Sequence, residues 1–327
     1  MRLIKTEDAV GHVLCHDMTQ IIKDQYKDAR FRKGHVVTEE DIPVLLSMGK
    51  EHLYVWEMTP GMVHENDAAE RLLALCGQEN MIRSGVKEGK IELKAACDGV
   101  FLVDSARLVA VNSQDEVMIA TRKGGMAVRE GDKLAGMRVI PLIIEEEKLR
   151  KAEQAAGDKP LLSLKPYVRK TACIVATGGE VKKGLIKDTF TPVVIDKLKT
   201  YGIETLEVVY SGDGVENVRD AVLAMREKKP DMILCTGGMS VDPDDNTPGG
   251  IKAAGANIIA YGAPVLPGAM FLLGYFDDGM PVMGLPGCVM YVGATVFDLV
   301  LPKIAADVPV TRADIAALGE GGLCLGC

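Results

Sequence analysis

The sequence predicts an α/β protein: a three-layer, doubly wound, mainly parallel sheet in its second half, preceded by a β-rich N-terminal region. Three observations lead there. From Lys170 onward, apolar runs of strand length alternate with segments of helical period. Four of those runs break at glycine turns that also carry Asp, Glu or Pro. Before them, between Ile91 and Ile144, short apolar runs are separated by turn signals such as Asp98-Gly99, Lys123-Gly124-Gly125 and Glu130-Gly131-Asp132. The expected organisation is a small α+β unit over residues 1–62, a β-rich domain over 63–155, the α/β domain over 165–308 and a glycine- and cysteine-bearing tail over 309–327.

The elements follow in order. Val10–Leu14 reads as a strand, and Thr38 as the cap of a helix that carries Ile42, Leu45 and Leu46 and closes at Gly49. Leu53-Tyr54-Val55-Trp56 returns as a strand. Glu65–Cys76 has the apolar spacing of a helix ended by Gly77. Val109–Val111, Val117–Ala120 and Val139–Ile144 are strand-like, and Glu145–Gln154 is a charged helix leading to a boundary near Ala156–Pro160. Thr171–Ala176, Ile203–Tyr210, Met232–Cys235, Asn257–Tyr261 and Met280–Leu285 are the strands of the α/β domain. Thr191–Tyr201, a segment with Val215, Val218, Val222 and Met225 at helical spacing, and Val289–Ala305 are its longer helices. Strand–helix alternation implies right-handed crossovers and helices on both faces of the sheet.

Composition narrows the function. A formal charge of -8 over 327 residues argues against general binding to nucleic acid or to an anionic membrane. The N-terminus lacks the apolar core of a signal peptide and no run is long enough to span a bilayer, so the expected location is cytoplasmic. Eight cysteines, mostly single among apolar residues, read as reduced buried thiols. His12, Cys15 and His16 are close enough to be metal ligands, although no fourth ligand lies nearby. Cys324 and Cys327 form a lone Cys-x-x-Cys, half of a zinc site, a redox pair, or part of a flexible end.

The glycine turns carry the chemistry. Thr177-Gly178-Gly179-Glu180, Gly212-Asp213-Gly214, Thr236-Gly237-Gly238 and Gly284-Leu285-Pro286-Gly287 all follow parallel strands, so they fall on one edge of the sheet and can line one site. Bare glycine backbone admits an anion closely. After Thr236-Gly237-Gly238 comes an acidic loop through Asp245, with Thr247 as a helix cap and Pro248 at the first helical position. Glu180, Asp213 and Asp245 are the candidate carboxylates for a metal or a general base. For Asp213 the competing reading is an ordinary helix cap.

These motifs carry a family resemblance. Thr177-Gly178-x-Glu180 with Gly184 and Asp188, Gly212-Asp213, Thr236-Gly237-Gly238-x-Ser240-Val241 with Asp245, and Leu285-Pro286-Gly287 together resemble the molybdopterin-binding domain of the MoeA and MogA molybdenum cofactor biosynthesis families. The resemblance covers a little under half of the chain. It implies a ligand, molybdopterin or adenylyl-molybdopterin, lying across Thr177, Gly178, Gly212, Thr236, Gly237, Gly238, Ser240, Pro286 and Gly287. It also implies magnesium (Mg2+) on Asp213 and Asp245, catalytic roles for Glu180, Asp213 and Asp245, and a homo-oligomer. The activity it favours is molybdopterin molybdotransferase-like insertion of molybdate. The alternatives are a non-catalytic carrier or sensor of the cofactor and a nucleotide-processing hydrolase of the competence-damage type. Two departures stand out: Gly179 replaces the acidic residue of the family's Thr-Gly-Asp-Glu, and Cys288 follows Pro286-Gly287 where the family has Asn. A thiol preceding a helix at that place has the setting for thiolate stabilisation, and the competing, commoner outcome is a small buried apolar residue.

Overall fold

The computed structural model describes residues 2–22, 26–55, 60–240 and 245–323, and the chain divides into two units. The first comprises residues 1–96, 102–124 and 130–163; the second comprises 97–101, 125–129 and 164–327.

In the first unit, β1 (Arg2–Lys5) pairs antiparallel with β4 (His52–Val55), and β2 (Met18–Ile22) with β3 (Tyr26–Phe31). Between them lies α1 (Asp41–Ser47). Leu14, Phe31, Val37, Leu45, Leu53 and Val55 close a small core. Val10–Leu14 is not the expected strand. Only Val13 and Leu14 make isolated bridges, to Val36 and Val55, because Gly11 takes φ +80° and turns the chain. The Thr38 cap also shifts: Thr38 N–H and Oγ1 both donate to Asp41 Oδ2, so the helix starts at Asp41 itself. Trp56 lies outside the described residues.

There follow β5 (Met62–His64), α2 (Glu65–Leu75), β6 (Met81–Arg83), β7 (Ile91–Ala95), β8 (Gly99–Val103), α3 (Ser105–Asn112), β9 (Val117–Thr121), β10 (Met126–Val128), β11 (Lys133–Val139), β12 (Ile143–Glu145), α4 (Glu146–Ala156) and β13 (Leu162–Pro166). Strands β6-β7-β11-β9 make an antiparallel sheet, and the region is β-rich as expected. Val109–Val111, read as a strand, is helical in α3. The Asp104 carboxylate caps that helix by accepting from Arg107 N–H and binds the Arg107 guanidinium, and this local capping overrides two β-branched valines. Val139–Ile144 splits into the end of β11 and the start of β12 around Pro141.

His64 locks the N-terminal segment to α2. Its Nε2 bonds Cys15 O, which leaves Nδ1 to accept from Asn66 N–H at 3.1 Å and from Lys33 Nζ at 3.1 Å. Those partners fix the neutral Nε2–H tautomer. Burial, with Lys33 adding to it against the Cys15 carbonyl, holds His64 below its ordinary 6.5.

The second unit is built on β14 (Thr171–Thr177), α5 (Gly179–Lys182), α6 (Phe190–Lys199), β15 (Glu204–Ser211), α7 (Val215–Arg226), β16 (Met232–Thr236), α8 (Thr247–Ala253), β17 (Asn257–Tyr261), β18 (Leu272–Tyr275), β19 (Pro281–Leu285), α9 (Val296–Ala305) and α10 (Arg312–Ala317). The six-stranded sheet runs β15-β14-β16-β19-β18-β17. β15, β14, β16 and β19 are parallel, while β18 and β17 are antiparallel additions at one side. Side chains alternate across the sheet, as strand geometry requires. Ala172, Ile174, Met232 and Leu234 join Val194 and Leu198 of α6 and Val300 and Leu301 of α9 on one face. Cys173, Val175, Ile233 and Cys235 join Val218 and Val222 of α7 and Ile251 of α8 on the other. Each fully buried Leu or Ile contributes about 1.5–3 kcal/mol, so the two clusters hold three layers together. At the amino edge of the sheet the Asp231 carboxylate accepts from Lys170 N–H, Thr171 N–H and Thr171 Oγ1, which clamps the starts of β14 and β16.

Two differences from expectation concern this unit. β18 has no counterpart in the sequence reading. The long helix Val289–Ala305 is instead a 3-10 turn at Gly287–Met290 and a separate α9, whose Thr295 and Asp298 form a reciprocal capping box. Beyond it, α10 is capped by Thr311 and packs Ile315 into the core, and Leu266 N–H bonds Gly322 O. Cys324 and Cys327 lie outside the described residues.

Two outcomes are expected from this packing. A Cβ at Gly250 of α8 would stand 2.5 Å from Val218 Cβ and Cγ1 of α7, so Gly250→Ala should lower stability by about 1–3 kcal/mol in urea unfolding, and an unchanged midpoint would refute the close helix contact. His64 is neutral when folded and carries its ordinary 6.5 when unfolded, so the unfolded chain binds the extra proton. The stability it confers is present above pH 6.5 and is lost as pH falls below it. The melting temperature of the first unit should therefore fall between pH 7.5 and 5, and His64→Gln should flatten that slope; equal slopes would remove His64 from the linkage.

Candidate functional site

β14, β15, β16 and β19 are parallel neighbours, so their carboxyl ends emerge on one edge. There the structure brings together Thr177, Gly178, Gly212, Asp213, Thr236, Gly237 and Gly238, with Pro286 and Gly287 at the end of β19. The centre is Thr177. Its Oγ1 lies 2.9 Å from Thr236 O and 3.1 Å from Thr247 Oγ1, and Thr247 Oγ1 lies 2.9 Å from Gly237 O. Each hydroxyl has one proton, so at most two of these three contacts are hydrogen bonds at once. Both threonines spend their polar atoms on the turn rather than on solvent.

The turn has to be Gly237-Gly238. Gly237 takes φ +81° and a Cβ there would lie 2.4 Å from Thr177 O; Gly238 takes φ +56° and its Cβ would lie 2.7 Å from Thr247 Oγ1. Any side chain meets both strain and collision. The loop beyond is pinned as well. Met239 is buried against Gly284, where a Cβ would meet its sulfur at 2.5 Å, and Met239 O accepts from Tyr261 OH. Ser240 is exposed, and its N–H donates to Asp245 Oδ2 at 3.0 Å. Helix α8 begins at Thr247, one residue earlier than expected, with Asn246 rather than Thr247 in the cap position and Pro248 in the first turn.

Asp213 is not the helix cap that one reading of it expected. It does not cap α7, whose N-cap is Gly214 without a side-chain bond. Its two carboxylate oxygens instead accept from Gly179 N–H, at 3.2 and 3.1 Å. A Cβ at 179 would lie 2.5 Å from Asp213 Oδ2. The position of the Asp213 carboxylate therefore calls for glycine at 179. Glu180 lies in α5, and its side chain falls outside the described residues, as do Asp242 and Asp244. Asp213 and Asp245 thus each carry an internal backbone bond, and among the described residues no group of three His, Cys, Asp or Glu side chains is arranged for a metal ion. The same applies to His12, Cys15 and His16, where burial raises the Cys15 thiol and lowers His16.

The proline-glycine loop forms a 3-10 turn in which Val289 N–H bonds Pro286 O. Cys288 within it is half-buried, and burial pushes its thiol up, which favours the reading of an apolar residue over that of a stabilised thiolate. Burial pushes Cys235, behind the site, up to about 12, and none of the six described cysteines forms a disulfide.

Two residues near the site escaped the sequence reading. Lys182, the last residue of α5, brings Nζ to 3.7 Å from the position of a Cβ at Gly212, and Asn217 of α7 brings Nδ2 to 3.6 Å of the same point. The signal in the sequence was a Lys182-Lys183 pair beside a glycine turn in an acidic chain. No helix among the described residues is long and apolar enough to cross a membrane.

With the geometry in view, comparison with known proteins adds the following. Residues 173–306 match the family described as "Probable molybdopterin binding domain", and residues 3–57 match a domain of unknown function, DUF8806. A CinA-like protein of Mycobacterium tuberculosis is 33% identical over 76 residues, which are 23% of this chain and 18% of that protein. The chain thus meets less than a fifth of the length of that relative. Among solved structures, the molybdopterin biosynthesis enzyme MoaB of Thermus thermophilus covers 44% of this chain and 97% of its own at 16% identity, with a TM-score of 0.38. A molybdenum cofactor biosynthesis protein of Pyrococcus furiosus covers 97% of this chain and 64% of its own at 12% identity, with a TM-score of 0.28. Likeness at that level carries no functional weight, and the assignment rests on the family match.

The architecture of the turn can be checked directly. Gly238→Ala should lower stability by about 2 kcal/mol or more through left-handed strain and the Thr247 contact, read by chemical unfolding. A neutral substitution would mean that the turn is not held as described.

Proposed function

Taking residues 173–306 as the molybdopterin-binding domain they match, we propose that the chain binds molybdopterin, or its adenylyl form, at the carboxyl edge and acts as a carrier of the cofactor. The observation that carries the carrier reading is the commitment of Asp213 to Gly179 N–H. In the resemblance, Asp213 and Asp245 would hold magnesium and Glu180, Asp213 and Asp245 would serve catalysis. With Gly179 in place of an acidic residue, Asp213 bonded to Gly179 N–H and no group of three metal-ligating side chains among the described residues, the described carboxylates fit a metal poorly, and no chemical step is derived through one. Bare backbone at Gly178, Gly212, Gly237, Gly238 and Gly287 suits the close approach of an anionic ligand, with Ser240 and Pro286 at its margins.

Molybdotransferase-like insertion of molybdate is the enzymatic form of the same reading, and the retention of Asp245 beside Ser240 supports it. A nucleotide-processing hydrolase has the match to a CinA-like protein behind it.

Titration of the full chain with molybdopterin, free and adenylylated, with and without magnesium and molybdate, separates these readings when AMP is followed. Tight binding without AMP release is the expected result. AMP release on adding molybdate would replace the carrier with a molybdotransferase, and Asp245→Asn should then cut turnover by orders of magnitude while folding is kept. Nucleotide turnover with no pterin present would establish the hydrolase, and failure to bind any pterin would remove the proposed ligand.

A further inference from the structure

The geometry points to a phosphate seat over Gly212, formed by Lys182 and Asn217, that grips a phosphate group of the ligand without a divalent cation. This rests on the reading of the carboxyl edge as the ligand site and adds to it the chemistry that would recognise one part of that ligand.

Three features converge there. A Cβ placed at Gly212 would have only Asn217 Nδ2 at 3.6 Å, Lys182 Nζ at 3.7 Å and Lys182 Cδ at 3.8 Å as its nearest neighbours. These are ordinary contact distances, and Gly212 does not adopt the left-handed conformation that Gly214 takes at φ +101°. Neither backbone strain nor packing therefore requires glycine at 212, and its bare backbone faces two nitrogen donors at contact distance.

The donors are uncommitted toward that space. Among the described residues the Lys182 ammonium makes no ion pair or hydrogen bond, so its three N–H groups remain available. Asn217 Nδ2 gives one proton to Asp213 O at 2.6 Å and keeps its second. The carboxylate next in sequence, Asp213, accepts from Gly179 N–H and makes no ion pair with Lys182. A cation and an amide donor over bare backbone suit a phosphate monoester or a diphosphate. In a chain of charge -8 such a local arrangement is distinctive.

The pterin phosphate and a nucleotide phosphate share this chemistry. Pyrophosphate is the probe, titrated into the full chain by calorimetry in EDTA and again in magnesium. Wild type should bind it in EDTA, and Lys182→Met and Gly212→Ala should each weaken binding about tenfold or more with unchanged circular dichroism and melting temperature. Unchanged affinity in both variants, no binding by the wild type, or binding only after magnesium is added would overturn the seat. Molybdopterin and AMP are titrated next. Pyrophosphate held through Lys182 with molybdopterin refused would keep the seat and remove the pterin reading, and AMP held instead would assign the seat to a nucleotide. Molybdopterin bound equally well by wild type and Lys182→Met would keep that reading and remove the seat.

Discussion

The carboxyl edge depends on the last residue of β14. Thr177 reaches across to β16 at Thr236 O and to the start of α8 at Thr247, and the Gly237-Gly238 turn closes over it with no room for a side chain. The contacts are individually modest, since a neutral hydrogen bond nets only about 1 kcal/mol. Their value is geometric. They fix where β16 stops, how its loop departs and where α8 begins, so that bare backbone from three separate strand ends faces the same space.

Charge is distributed on that edge in an order that composition alone conceals. The chain is acidic overall, yet two of the described carboxylates at the site are spent on backbone N–H groups. The Asp213 carboxylate excludes any larger residue at 179, because a Cβ there would fall on it. A departure that reads as the loss of an acid is therefore also the gain of a fixed acceptor, and it leaves the lysine at the end of α5 as the exposed cation beside Gly212.

Much of this was legible in the sequence and some of it was not. Alternation of apolar strands with helical segments located every parallel strand of the second unit, because burial on both faces imposes nearly continuous apolar runs. Strand β18 escaped because Leu272–Tyr275 is short and carries Gly274, which its neighbour Asn257 O requires to be small. Val109–Val111 misled because β-branched residues were weighed without the Asp104–Arg107 cap that decides the matter locally. Val289–Ala305 was read as one helix because its apolar period continues across a break that only the Thr295 capping box reveals. At the site, glycine turns marked the right edge. The direction in which Asp213 turns is a tertiary fact, since its partner at 179 is 34 residues away, and periodicity says nothing about it.

The division of the chain into units is not a single cut. Residues 97–101 and 125–129 belong with residues 164–327, while the segments flanking and separating them belong to the first unit. The sheet edge at β10-β8, where Met126–Val128 pairs with Phe101–Gly99, is thus made of chain synthesised well before the parallel sheet exists. During translation these two short strands emerge early and wait for a partner body that begins some 35 residues after the later of them. The compact unit that contains residues 173–306 is therefore wider than that stretch, and it includes a strand pair that sequence order assigns elsewhere.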